Sequence, residues 1–159
     1  MKYIRMHQIE AEPMTRGDYN KFRGWTIPAN ENPADEGYIV KYPDGYVSWC
    51  PKAQFEEAGR PCDGMTFGMA IEAMKRGAKV ARKGWNGKGM WLCVPFCDGL
   101  KEVHATGIWG KPNAEYALQN GGTVKVMPYV TMKTADGAIV MGWLASQTDM
   151  LAEDWEVVE

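Results

Sequence analysis

Histidine is nearly missing from this chain: two in 159 residues, His7 and His104. A Ser/His/Asp or Cys/His arrangement would therefore have to rely on His104. The adjacent acids Glu56/Glu57 and Glu153/Asp154 cannot face one another across a helix. No nucleophile–base pair assembles, so the reading is that the protein is not an enzyme. A basic excess is lacking too. The formal charge is −2 and the sequence pI about 5.8, which argues against a general nucleic-acid binder. No apolar run approaches the ~20 residues of a membrane span, and no signal peptide opens the chain, so a cytoplasmic location without membrane partners is expected. Neither a Gly-x-x-x-x-Gly-Lys-Ser/Thr phosphate loop nor a Gly-x-Gly-x-x-Gly turn after a strand occurs, which removes NTPase and dinucleotide-fold chemistry. The four cysteines are Cys50, Cys62, Cys93 and Cys97. The three-residue gap in Cys93-Val94-Pro95-Phe96-Cys97 suits neither a thioredoxin-like pair nor the usual zinc spacing. Free thiols are preferred to a site built from Cys93, Cys97 and His104, and no metal or cofactor is expected.

Glycine, tryptophan and methionine are plentiful instead, at 18, seven and 11 residues, more aromatic and thioether surface than a core of this size needs. They crowd around Val80-Ala81-Arg82-Lys83-Gly84-Trp85-Asn86-Gly87-Lys88-Gly89-Met90-Trp91, which reads as a turn joining two strands. Glycines there expose backbone N–H groups, and lysines, an arginine and an indole stand beside them. Those are the elements a nucleotide-like ligand requires. Taken alone, the turn reads more readily as a hairpin tip whose tryptophan folds back onto the sheet.

Two parts are expected. Residues 1–61 form a small α+β accessory module. Gln8–Met14 reads as a strand, Thr15 caps a short helix ending at Gly24, Tyr38–Tyr42 and Tyr46–Trp49 form a hairpin about Pro43-Asp44-Gly45, and Pro51 opens a second helix. The boundary falls at Gly59-Arg60-Pro61-Cys62-Asp63-Gly64. Residues 64–159 form the main domain. Thr66 caps a helix with Phe67, Ala70, Ile71 and Met74 on one face, stopped by Gly77. Strands follow at Val80–Arg82 and Met90–Val94, then Tyr129–Lys133 and Ala138–Met141. Ser146-Gln147-Thr148-Asp149 is a capping pattern before one helical turn, and Trp155–Val158 is a terminal strand. Between Phe96 and Lys125 the chain reads as a long, partly ordered insertion. The fold class is α+β: a small antiparallel β-sheet packed with one main helix, preceded by a β-hairpin and helix module.

Trp143 with Ser146, Gln147, Thr148 and Asp149 is the second candidate site, an aromatic beside a helix start that favours anions or hydroxyl-bearing ligands, although capping alone accounts for Ser146 and Asp149.

From Met65 onward the sequence resembles a known phage and prophage family. The carrying residues are Met65-Thr66-Phe67-Gly68, Gly84-Trp85-Asn86-Gly87-Lys88, Met132-Lys133-Thr134-Ala135-Asp136-Gly137 and Trp143-Leu144-Ala145-Ser146-Gln147-Thr148-Asp149-Met150. The resemblance is to the second type of Thoeris anti-defence protein. It implies a sponge that binds cyclic ADP-ribose isomers made by TIR-domain enzymes, in some members also cyclic dinucleotides, without cleaving them. It further implies a homotetramer with pockets between protomers. The ligand-binding residues expected on that basis are Trp85, Asn86, Gly87, Lys88, Tyr129, Trp143, Ser146, Gln147 and Asp149, with Arg82 or Lys133 as nearby charge. The segment before Met65 resembles small domains of other phage proteins whose role is open. The alternative is a phage protein–protein interaction or assembly module that takes no nucleotide.

Overall fold

The computed structural model describes residues 8–85 and 89–158. The chain forms two compact units, Met1–Pro61 and Cys62–Glu159.

In the first unit three strands, β1 (Glu10–Pro13), β2 (Gly37–Lys41) and β3 (Val47–Pro51), pair antiparallel in chain order. Helix α1 (Arg16–Arg23) starts at Thr15, whose hydroxyl accepts the Asp18 N–H, and ends at Gly24 in the left-handed region at φ 69°. Arg16 reaches across to Glu31 in a part-buried pair, with Nε 2.7 Å from Oε2, and buried Asn20 donates to the same carboxylate at 3.1 Å. Gly37 is obligatory, because a Cβ there would lie 2.5 Å from the Trp49 ring and from the Cys50 carbonyl. The indole in turn donates to the Met14 carbonyl at 2.9 Å. Helix α2 (Lys52–Ala58) follows Pro51, and Phe55 stacks on Tyr38 at 4.3 Å.

The second unit is a five-stranded antiparallel sheet. Its strands are β4 (Lys79–Arg82), β5 (Trp91–Cys93), β8 (Thr131–Lys133), β9 (Ile139–Met141) and β10 (Trp155–Val158), in the order β10-β4-β5-β8-β9. Helix α3 (Phe67–Lys75), capped by the Thr66 hydroxyl, lies on one face through buried Ala70 and Met74. Strand periodicity turns Val80, Leu92 and Trp155 toward it, each 0% exposed. The four-residue helix α5 (Gln147–Met150) carries the expected capping box, Ser146 and Asp149 each accepting from the other's backbone N–H.

Residues 96–125 are more ordered than their glycines suggest. Strand β6 (Lys101–His104) pairs antiparallel with β7 (Thr123–Val126), and helix α4 (Lys111–Gln119) lies between them in sequence. Strand β8 begins at Thr131, which leaves Tyr129 in the connection before it. Among the described residues no helix is long and apolar enough to cross a membrane, and no cluster of histidine, cysteine and carboxylates is placed to hold a metal ion.

Candidate functional site

The glycine-rich turn rises from β4 and β5, an antiparallel pair in which Val80 faces Leu92. Asn86, Gly87 and Lys88 lie outside the described residues. The base of the turn is held by a charge network. Arg82 at the end of β4 donates from Nε to Asp154 Oδ1 at 2.8 Å and from Nη1 to Asp149 Oδ1 at 2.9 Å. Asp154 also accepts the Gly84 N–H at 3.0 Å, and Asp149 accepts the Trp85 indole N–H at 3.4 Å. One arginine thus ties the turn to the start of α5 and to the segment entering β10, across about seventy residues of sequence.

The electrostatics follow from these contacts. For Asp154, hydrogen bonding from Arg82 holds the carboxyl below the usual range against the opposing effect of burial, with the Gly84 N–H assisting. For Asp149, burial is the largest single influence and pushes the carboxyl up. Hydrogen bonds from Ser146, Arg82 and Trp85 together outweigh it and leave the group lowered. The Arg82 guanidinium is raised in turn, chiefly by Asp154 and then by Asp149.

The sequence candidates Trp85, Trp143, Ser146 and Asp149 do come together. Trp85 and Trp143 meet at a centroid distance of 6.3 Å, inclined by 65°, and both pack edge-on against buried Trp155. In this geometry the indoles are part-buried partners of the core. Asp149 is likewise committed. Its Oδ1 serves Arg82 and Trp85, its Oδ2 accepts both the Ser146 N–H and hydroxyl, and its carbonyl accepts the Trp155 indole at 3.0 Å. Gln147 is exposed beside it. Tyr129 stands elsewhere in this arrangement, with its ring edge-on to Phe96 at 5.6 Å.

Open space lies on the other side of the hairpin. A cleft of about 290 Å³ is bounded by Trp85, Gly89, Met90, Trp91, Lys83 and Glu156, with Ala81 as its floor. Trp91 was not singled out as a site residue, although its place in the strand pattern implies it. With Leu92 turned inward, Trp91 must turn outward. A larger depression of about 410 Å³ in the first unit is lined by Asp18, Glu36 and Lys52 among others. Its charges are already matched there, Lys52 to Glu36 at 2.8 Å and Asp18 to Lys21 at 3.2 Å.

Residues 65–158 match the model of the Tad2-like family, described as a Thoeris anti-defense 2-like domain. The chain belongs to the Thoeris anti-defense 2-like family. Within it, this chain is similar to Thoeris anti-defense 2 of Bacillus phage SP01, with 40% identity over 94 residues that cover 59% of this chain and 94% of the phage protein. The family match covers the second unit from Met65 in its isolated bridge with Trp155 through β10. It therefore takes in the turn, the Arg82 network, α5 and the cleft, and leaves out the first unit.

Proposed function

We propose that the protein is a phage anti-defence protein that binds a cyclic ADP-ribose isomer signal, or a related cyclic nucleotide, and withholds it without cleaving it. Membership of the family carries this reading. The cleft beside the glycine-rich turn supports it with indole surface from Trp85 and Trp91 and with Lys83 at its border. Sequestration requires slow release and no turnover. The bacterial host cytoplasm, where such a signal is made, is the proposed location.

A homo-oligomer, a tetramer on the family pattern, completes the proposal. A cleft of about 290 Å³ is small for a ligand with a purine, two riboses and a pyrophosphate, since pockets for such molecules run to about 300–1,000 Å³. A second copy would supply the remaining wall. Strand β9 offers an edge for it, with Ile139, Val140 and Met141 all exposed, and Leu144 and Leu151 stand 88% and 82% exposed nearby in sequence. The turn residues Asn86, Gly87 and Lys88 are proposed as contacts around this space, with Trp85 as part of its wall, and Trp143, Ser146 and Gln147 as further ligand contacts.

The test is incubation with the cyclic ADP-ribose isomer produced by a TIR-domain enzyme, removal of free ligand, heat release and mass analysis. Recovery of intact ligand is the expected outcome; recovery of a cleaved product would replace sequestration with hydrolysis. The exposed β9 edge also favours a second reading, an assembly module with no nucleotide ligand. That reading requires an unchanged melting temperature in the presence of the isomer, whereas binding raises it.

A further inference from the structure

The end of α1 in the first unit builds an aromatic platform around one cation. Gly24, in the left-handed region, turns the chain back, and the Trp25 N–H closes that turn on the Asn20 carbonyl at 2.8 Å. Trp25 is thereby set beside the helix the chain has just left. Its indole meets the Tyr19 ring edge-on at 6.0 Å, and Phe22 meets the same ring at 6.3 Å. Tyr19 is buried and its hydroxyl donates to the Val47 carbonyl at 3.4 Å, so the two outer rings rest on a fixed one. Phe22 and Trp25 are nevertheless 60% and 52% exposed. The Arg23 guanidinium lies over the Trp25 ring, 4.8 Å from its centroid. Arg16 is paired with Glu31 and Lys21 with Asp18, whereas Arg23 has no ion-pair partner among the described residues.

We propose that this platform is a docking surface for a second protein, and that its occupant is an extended peptide segment with a carboxylate next to a large apolar side chain. Charge complementarity carries the proposal. An exposed guanidinium with N–H groups to spare takes a carboxylate in a bidentate pair, and the indole beneath it holds its orientation. The exposed rings of Phe22 and Trp25 on either side of Arg23 in sequence then cover the apolar neighbour. Tryptophan and arginine are residue types on which interface energy concentrates, and fixing them before contact lowers the cost of ordering them. A nucleic acid fits less well. It requires several cations for its phosphates, and on α1 only Arg23 is uncommitted, while one indole face that a base would stack on already carries the guanidinium. An anionic lipid surface meets the same shortage of cations. The family match begins at residue 65, so this surface is separate from the proposed capture of a nucleotide and is tested independently of it.

The experiment pans a displayed library of random dodecapeptides against the full chain, then measures the enriched peptides, carrying a fluorescein label, by polarisation. The selected sequences are expected to share an Asp or Glu beside Leu, Ile, Met, Phe or Pro. Arg23→Gln should weaken their binding roughly 10- to 150-fold, the loss of a hydrogen-bonded charge pair, and Phe22→Ser about fivefold or more. Both side chains are exposed, so the melting temperature of each variant should stay at the wild-type value. Arg23→Glu should turn the selection toward Lys and Arg. Selection of no acidic motif, or equal affinity of the selected peptides for wild type and Arg23→Gln, overturns the proposal. Binding of labelled oligo(dT) or of phosphatidylglycerol vesicles in place of peptides assigns the platform to nucleic acid or lipid and overturns it as well. A native mass that falls on Phe22→Ser, with no peptide selected, assigns it to a second copy of this chain and overturns it too.

Discussion

The two faces of the five-stranded sheet use tryptophan for opposite purposes. On the face under α3, Trp155 is fully buried, Trp85 and Trp143 lean edge-on against it, and the indole N–H groups of Trp85 and Trp155 are satisfied by Asp149. On the other face Trp91 stands in a strand row between Ala81 and Lys133, beside open space. A residue type that signals a binding plate in sequence is thus a core element on one side and a surface on the other. What separates the two is strand parity and the position of α3. The same contrast orders the experiments, because changes on the α3 face should act on stability and changes on the far face on the proposed ligand and partner.

The largest effect is expected from Trp155→Ala. Its side chain is fully buried among Met65, Met74 and Leu92, so truncation leaves a cavity and removes the indole hydrogen bond to the Asp149 carbonyl. A loss of about 3–5 kcal/mol is expected for the 62–159 unit in urea unfolding. Next comes Arg82→Met, which strands two carboxylates beside one another. Removing one partner of a buried ionic network costs about 3–5 kcal/mol, and the partial exposure of these side chains, 14–32%, lowers the expectation to about 1–3 kcal/mol. Because Arg82 ties Asp149 to the turn, Trp85 emission should shift in this variant before unfolding begins.

Acid titration sharpens the same point. Asp149 and Asp154 both have folded-state values below their ordinary ones. Such groups contribute stability that is fully present above the unfolded carboxyl value, about 3.9, and lost as pH falls through the lowered folded values. In the first unit Glu31, held down to about 2 by hydrogen bonds from Arg16 and then Asn20, behaves alike. The wild-type unit 62–159 should therefore lose stability progressively below about pH 5, and Arg82→Met should lose less over that interval. Equal slopes for the two proteins would show that the network is not what depresses these carboxyls. A smaller effect belongs to Ser146→Ala, which removes the α5 cap and one partner of Asp149 and should cost about 1 kcal/mol in the same unfolding measurement.

Much of this arrangement was legible because short polar signals decide chain ends. Thr15, Thr66 and Ser146 cap as their spacing implies, and Pro43-Asp44-Gly45 joins two strands. Segment 96–125 was not legible, for a physical reason. Helix α4 begins at Gly110 with no side-chain cap, and the buried positions holding this segment together, Ala105 and Ala117, are too small to mark a hydrophobic period. The pairing of the terminal strand β10 with β4 is a long-range choice that local pattern does not encode. At the turn, Trp85, Trp143, Ser146 and Asp149 come together as a group, and the direction each side chain faces is set by contacts distant in sequence. The aromatic character of Trp85 and Trp143 is local, whereas their packing depends on Trp155, seventy residues from Trp85 and twelve from Trp143.

The smallest effect on folding should come from the β9 edge of the sheet, where Lys133 of β8 faces Ile139. Ile139 is 54% exposed on an edge strand, so Ile139→Lys removes almost no packing and should leave unfolding of the monomer within about 0.5 kcal/mol of wild type. A lysine on an open edge opposes strand addition by another chain. Native mass spectrometry should therefore show the proposed oligomer reduced to smaller species while the fold persists. If the face away from α3 serves ligand and partner together, the same variant should also bind the cyclic ADP-ribose isomer more weakly, although β9 lies at the opposite edge of the sheet from β10. An oligomer and an affinity both unchanged would confine that face to a single chain and leave β9 without a part in capture.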